Sequence, residues 1–185
     1  MIWENNDDIR LEHCDHSRRE IQHVLDTCRE ERRPYVITTP LTSNLSPLTS
    51  ILVPVTMLEE EVYKAEICTY LARKTGAHLI LLRANDYGSK AKQNTQRIIT
   101  HIQSISERTG TTITYEERVA KGDSFHVHKE LHNYPTDFQL ILLTASREYG
   151  LDDLLFGPPE QYVIRHSHIP VMLINPRADL FSLCD

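Results

Sequence analysis

The sequence predicts an α/β protein, a doubly wound sheet of five parallel strands with helices on both faces, preceded by an extra helix and strand. Three observations carry this. From Ser50 onward, short apolar, β-branched runs alternate with longer segments of helical periodicity. Gly76 and Gly110 stand where two of those helices should stop. Most of the strand runs are apolar at almost every position, as strands covered on both faces must be.

Residues 50–56 (SILVPVT) form the first strand of the series, and residues 60–75 a helix with Val62, Ala65, Ile67, Cys68, Leu71 and Ala72 along one face. Residues 77–84 are the second strand. Residues 89–109 are a long helix with Ile98, Ile99, Ile102 and Ile105 inward. Residues 112–119 (TTITYEERV from 111) alternate more, as an outer strand with a wet face does. A turn at Lys121-Gly122-Asp123-Ser124 leads to a short helix at 125–134; the fourth strand is 138–143, the last helix 159–166 and the fifth strand 170–174. Strands joined by helices run parallel, and their ligands sit beyond the carboxyl ends where strand order reverses. Those ends are Val55, Thr56 and Met57 after the first strand and Thr144, Ala145 and Ser146 after the fourth.

Ahead of the series, residues 15–33 read as an amphipathic helix with Ile21, Val24, Leu25 and Cys28 inward, and residues 34–40 as a strand. The expected division is a helix-strand unit at 1–40, a linker at 41–49, the main domain at 50–176 and a tail at 177–185. A length of 185 residues suits one α/β domain with chain left over. No apolar run approaches the roughly 18 residues of a membrane span, and the start Met-Ile-Trp-Glu-Asn-Asn-Asp-Asp is unlike a secretory leader. The expectation is a cytoplasmic protein that does not bind membranes. A formal charge of −6 argues against nucleic acid, whose phosphates need a concentrated basic surface. Cys14, Cys28, Cys68 and Cys184 contain no Cys-x-x-Cys pair and read as reduced, structural thiols.

The segments "ILVPVT", "LARKTGAHLILLRA", "KGD", "DFQLILLTASREYGLDDLLFG" and "VIRHSHIPVMLINP" fall in an order that resembles the universal stress protein family, within the adenine nucleotide α-hydrolase-like, Rossmann-like folds. The resemblance covers about residues 50–176. It implies the strand order 3-2-1-4-5 and a homodimer through antiparallel pairing of the last strand, here 170–174. It also casts 1–49 as the tail of a preceding, truncated domain of the same kind. "EIQHVLDTCREERRPYVITTP" runs as "EQYVIRHSHIPVMLINP" does, so strand 35–39 is expected to pair with strand 170–174 within the chain or across a dimer.

The resemblance further implies, for ATP-binding members, an Asp at the end of strand one and Gly-x2-Gly-x9-Gly-Ser/Thr after strand four. Here Thr56 replaces the Asp, Thr144 and Arg147 replace the first two glycines, Gly157 keeps the third and Pro158 replaces the hydroxyl residue. A phosphate cradle needs bare backbone so that amides reach the anion. Thr144 and Arg147 obstruct it, and Pro158 removes a donor. The leading expectation is therefore a non-catalytic stress-response or regulatory module with a degenerate ATP motif and no cofactor, acting through dimer or partner contacts. The alternative is a sensor of ATP, AMP or a phosphorylated small molecule, with or without Mg, at Val55, Thr56, Thr144, Ser146, Arg147, Gly150 and Gly157, with Arg147 as a bidentate anion ligand. A nucleotide hydrolase ranks third, lacking a metal-holding carboxylate at Thr56. Arg147 also reads as a surface residue paired with Glu148, Asp152 or Asp153. Among ten histidines, His13 with Cys14, Asp15 and His16, and His128 with His132, have spacing that suits a divalent metal, but neither set fixes a third ligand. His166 and His168 read as structural; Ser146 and Cys68 lack a visible base for nucleophilic chemistry, and Cys184 is the thiol most open to oxidation.

Overall fold

The computed structural model describes residues 9–15, 17–30, 33–42, 47–131, 138–146 and 158–175. In chain order the elements are β1 Arg10–His13, α1 Arg18–Arg29, β2 Tyr35–Thr38, β3 Ser50–Val55, a 3-10 turn Glu59–Tyr63, α2 Lys64–Thr75, β4 His78–Arg83, α3 Lys90–Thr109, β5 Tyr115–Val119, α4 Val127–Glu130, β6 Leu140–Thr144, α5 Pro159–His166 and β7 Val171–Ile174. β3 buries all of its residues because it lies mid-sheet, parallel to β4 on one side and to β6 on the other. β5 lies parallel outside β4, and β7 parallel outside β6, so the predicted order 3-2-1-4-5 is present. Gly76 and Gly110 end α2 and α3 in the left-handed region, at φ 75° and 66°, where a side chain would be strained.

Among the described residues the sheet has seven strands, the five of the main domain and two ahead of them, in the order β1-β2-β7-β6-β3-β4-β5. β2 was expected; β1 was not, and the N-terminal unit is strand-helix-strand rather than helix-strand. Arg10-Leu11-Glu12-His13 holds a single apolar residue, itself 42% exposed, so no apolar period marks it. It becomes a strand because β2 offers a free edge, to which it pairs parallel with Arg10 opposite Tyr35. The helix expected at 60–75 opens as the 3-10 turn, and within the described residues the helix expected at 125–134 is only Val127–Glu130. The strand expected at 112–119 starts at Tyr115 and has no buried residue, as befits a sheet edge.

β2 runs antiparallel to β7 in the same chain, with Tyr35 opposite Leu173, Val36 opposite Met172 and Ile37 opposite Val171. Both edges of β2 and both edges of β7 are thereby filled, and strand 35–39 meets strand 170–174 in the within-chain form of the expected pairing. α1 docks through Ile21, Leu25 and Cys28, all essentially inaccessible, into the core layer that also holds Tyr35, Ile37, Val163 and Leu173. Burying each such aliphatic side chain contributes roughly 1.5–3 kcal/mol, enough to hold a unit that could not fold in isolation. On the other face Val36, Met172 and Ile174 join β3, α2 and α3 in a second core layer. No helix is long and apolar enough to cross a membrane among the described residues.

Candidate functional site

β3 hands the chain to β4 on one side of the sheet, and β6 hands it to β7 on the other. The gap between the carboxyl ends of β3 and β6 is thus the switch point of the sheet. A cavity of about 310 Å3 lies there, bordered by Thr56, Lys64, Ser124, His128, Thr144, Ser146 and Glu160, with Leu58, Val127, Leu131 and Leu143 supplying apolar wall. That volume is at the low end of small-molecule sites, roughly 300–1,000 Å3.

On the β3 side the floor is a buried ion pair. Lys64 Nζ donates to Glu61 Oε2 at 2.6 Å and to the carbonyl of Pro54 at 2.5 Å, with side chains 2% and 4% exposed. Glu61 Oε2 also accepts the Thr56 N–H at 3.3 Å. The 3-10 turn and the first turn of α2 place Glu61 and Lys64 three residues apart on one side of the helix. Around the rim, Ser124 Oγ accepts from Met57 N–H at 2.8 Å and donates to Asp86 at 2.5 Å, while Asn94 Nδ2 donates to the carbonyls of Thr56 and Leu58. The loops after β3, β4 and β5 are fastened together by these bonds.

On the β6 side, Ser146 donates its N–H to Glu160 Oε1 at 2.9 Å and its hydroxyl to Glu160 Oε2 at 2.7 Å. Glu160 is only 3% exposed and sits in the first turn of α5, where the helix dipole favours negative charge. Pro158 and Pro159, at the cap and first position of α5, supply no N–H, and the Gln161 N–H is bonded to the Pro158 carbonyl. Thr144 Oγ1 borders the cavity, buried and without a hydrogen-bond partner among the described residues. His128 faces the cavity from α4; burial, then the charges of Lys129 and His126, push its pKa down to about 4, so it is neutral at pH 7.

Of the expected site residues, Thr56, Thr144 and Ser146 border this cavity. Val55 does not: its side chain lies in the core and its carbonyl accepts from Ala84 N–H. Arg147, Gly150 and Gly157, with Glu148, Asp152 and Asp153, lie outside the described residues, as do His16, His132 and Cys184. His13 Nδ1 is hydrogen-bonded to Thr38 Oγ1, and no three His, Cys, Asp or Glu side chains that could hold a metal ion come together among the described residues. Cys68 is core, its thiol pushed up to about 12 by burial, which disfavours nucleophilic use. The sequence reading missed Glu61, Lys64 and Glu160, and weighed His128 only as a metal ligand beside His132. A Glu-x-x-Lys step at the start of a helix and the acidic residue after Pro158-Pro159 were the available signals.

A doubly wound sheet with a cavity at its switch point is the general arrangement of α/β folds in this class. The chain belongs to the universal stress protein family, whose model matches residues 48–175. Among solved structures it is similar to a universal stress protein from Archaeoglobus fulgidus, at 16% identity and TM-score 0.63 over 95% of this chain and 63% of that one. It is similar to a universal stress protein in complex with cAMP, at 17% identity and TM-score 0.54 over 71% of this chain and 100% of the other. A protein of unknown function from Pseudomonas aeruginosa matches at 14% identity and TM-score 0.51, over 90% of this chain and 63% of that one. These identities speak to fold alone, and the chain spans less than two thirds of the A. fulgidus and P. aeruginosa proteins. No curated protein matches the chain.

Proposed function

We propose that this chain is a non-catalytic, cytoplasmic regulatory module of the universal stress type, without a resident nucleotide, that works through contacts with a protein partner rather than with nucleic acid or membrane. The observation that carries this reading is the Glu160 carboxylate on Ser146. A phosphate at the start of a helix is held by free backbone N–H groups. In this chain the N–H and hydroxyl after β6 are given to a buried carboxylate, and the two prolines strip donors from α5. An incoming phosphate would have to displace Glu160, desolvate beside it, and face Glu60 on the opposite wall, where Lys64 is already committed to Glu61 and the Pro54 carbonyl.

Thermal shift with ATP, AMP and cAMP, with and without Mg, tests this. Binding at about 100 times Kd would stabilise by about 2.7 kcal/mol. No shift is expected for the wild type, and a saturable shift with any of these nucleotides would overturn the reading.

A second reading is favoured by the cavity and by Thr144 Oγ1, which has no hydrogen-bond partner among the described residues. It makes the module a sensor of a small molecule, with ATP or AMP as the phosphorylated candidates and Arg147, Gly150 and Gly157 completing the site. The relative in complex with cAMP lends this its precedent. A wild-type shift with nucleotide that Arg147→Ala abolishes would establish it, and phosphate release requiring Mg would point instead to a hydrolase.

A further inference from the structure

The cavity at the switch point is bordered by an acceptor that the fold leaves unused. Both hydrogen bonds to the Glu61 carboxylate, from Lys64 Nζ at 2.6 Å and from the Thr56 N–H at 3.3 Å, fall on Oε2. Oε1 takes none among the described residues, although the side chain is only 4% exposed. A carboxylate offers about four lone-pair sites, and a buried one short of donors bears an uncompensated desolvation cost. A donor for Oε1 can come from the cavity, since Glu61 borders it and is otherwise enclosed.

Charge around that acceptor is mostly of one sign. Among the described residues Glu60, Glu61 and Glu160 border the cavity against the single ammonium of Lys64. That ammonium is committed to Glu61 and to the Pro54 carbonyl at 2.5 Å. His128 adds no positive charge at pH 7, since burial pushes its pKa down to about 4. A space lined in this way attracts cations and repels anions. The remaining wall is apolar, from Leu58, Val127, Leu131 and Leu143, and about 310 Å3 suits a molecule of modest size. An apolar wall with a charged acceptor on one side fits an apolar body with a polar head better than it fits water, which needs about two to four polar partners per molecule.

We propose that the cavity takes a small organic cation, a primary ammonium on a short apolar body, with the ammonium donating to Glu61 Oε1 and the body lying along Leu131 and Leu143. This ligand class follows from the exclusion of phosphate from the same cavity and stands only with it. An ammonium is the favoured head because a charge-assisted hydrogen bond is roughly twice as strong as a neutral one.

The test uses probes that share one alkyl body: hexylamine, a cation at neutral pH, hexanol, which is uncharged, and hexanoate, an anion. Titration calorimetry of the full chain at fixed ionic strength is expected to show saturable binding of hexylamine, about tenfold or more tighter than hexanol, and none of hexanoate. The Glu61→Gln, Lys64→Met double variant removes the acceptor without leaving a buried ion unpaired. It also keeps the net charge of the chain, so a loss of binding reports the site rather than general attraction to an acidic protein. With its fold checked by circular dichroism, its hexylamine affinity should fall about tenfold or more. Should that variant not fold, intermolecular NOEs in the wild-type chain decide: contacts from the hexylamine methylenes to the methyls of Leu131 and Leu143 support the site, and contacts confined to other methyls overturn it. Hexanol or hexanoate binding as tightly as hexylamine, undiminished binding by the folded double variant, or no binding of any probe would each refute the cation site. ATP titrated alongside separates the two claims. Heat from neither ATP nor hexylamine leaves the nucleotide-free reading standing and sinks the cation site, whereas saturable ATP binding sinks both.

Discussion

Replacing Lys64 with Met removes one ammonium from beneath the cavity and keeps most of its volume. The methionine cannot donate, so Glu61 is left as a buried charge whose remaining donor among the described residues is the Thr56 N–H at 3.3 Å, and the Pro54 carbonyl loses its bond from Nζ. Breaking a pair this buried, with side chains 2% and 4% exposed, costs about 3–5 kcal/mol because the orphaned charge cannot reach water. For a chain of this size each kcal/mol lowers Tm by roughly 2–4 °C, so a fall of roughly 6–20 °C is expected. Urea denaturation followed by circular dichroism measures it, and the Glu61→Gln, Lys64→Met double variant supplies the control. With the charge gone as well, the double variant should recover about half or more of the loss, which is strong coupling between the sites. Additive losses, or a single-variant cost under about 1 kcal/mol, would mean that the pair is solvated and the floor of the cavity wet.

His128 and the thiols supply two further outcomes. The folded state depresses the His128 pKa from 6.5 to about 4, so the neutral form is favoured by folding; the associated stability is complete above pH 6.5 and is lost as pH falls toward 4. Discounted for partial exposure, that is roughly 1–2 kcal/mol; an imidazole resonance titrating near 6.5 instead would show that α4 leaves the ring in water. Burial raises the Cys14 thiol to about 11 and the Cys68 thiol to about 12, so both should resist alkylation at pH 8 in the native chain and react on unfolding, read by mass spectrometry of the modified peptides.

The sheet order could be read from residues because each strand of the main domain reports on its own burial. Runs such as Ile51-Leu52-Val53 and Leu140-Ile141-Leu142-Leu143 are apolar without alternation, and helices of fixed length between them leave little choice of topology. The equivalence of the two termini was likewise visible in Pro34-Tyr35-Val36-Ile37 and Pro170-Val171-Met172-Leu173, because a strand that ends a helix-strand unit carries the same punctuation wherever it stands. What the chain written out could not say was that Arg10–His13 is a strand, since its hydrogen bonds come from an edge that exists only after β2 has docked on β7. Nor could it say that Glu160 would meet Ser146, or that Lys64 would turn inward to Glu61 and Pro54 rather than out to solvent. Missing glycines are a property of single positions and so are legible one residue at a time. Charges that meet across 14 residues or beneath a strand are a property of the packed sheet, where desolvation makes each buried group find its partner.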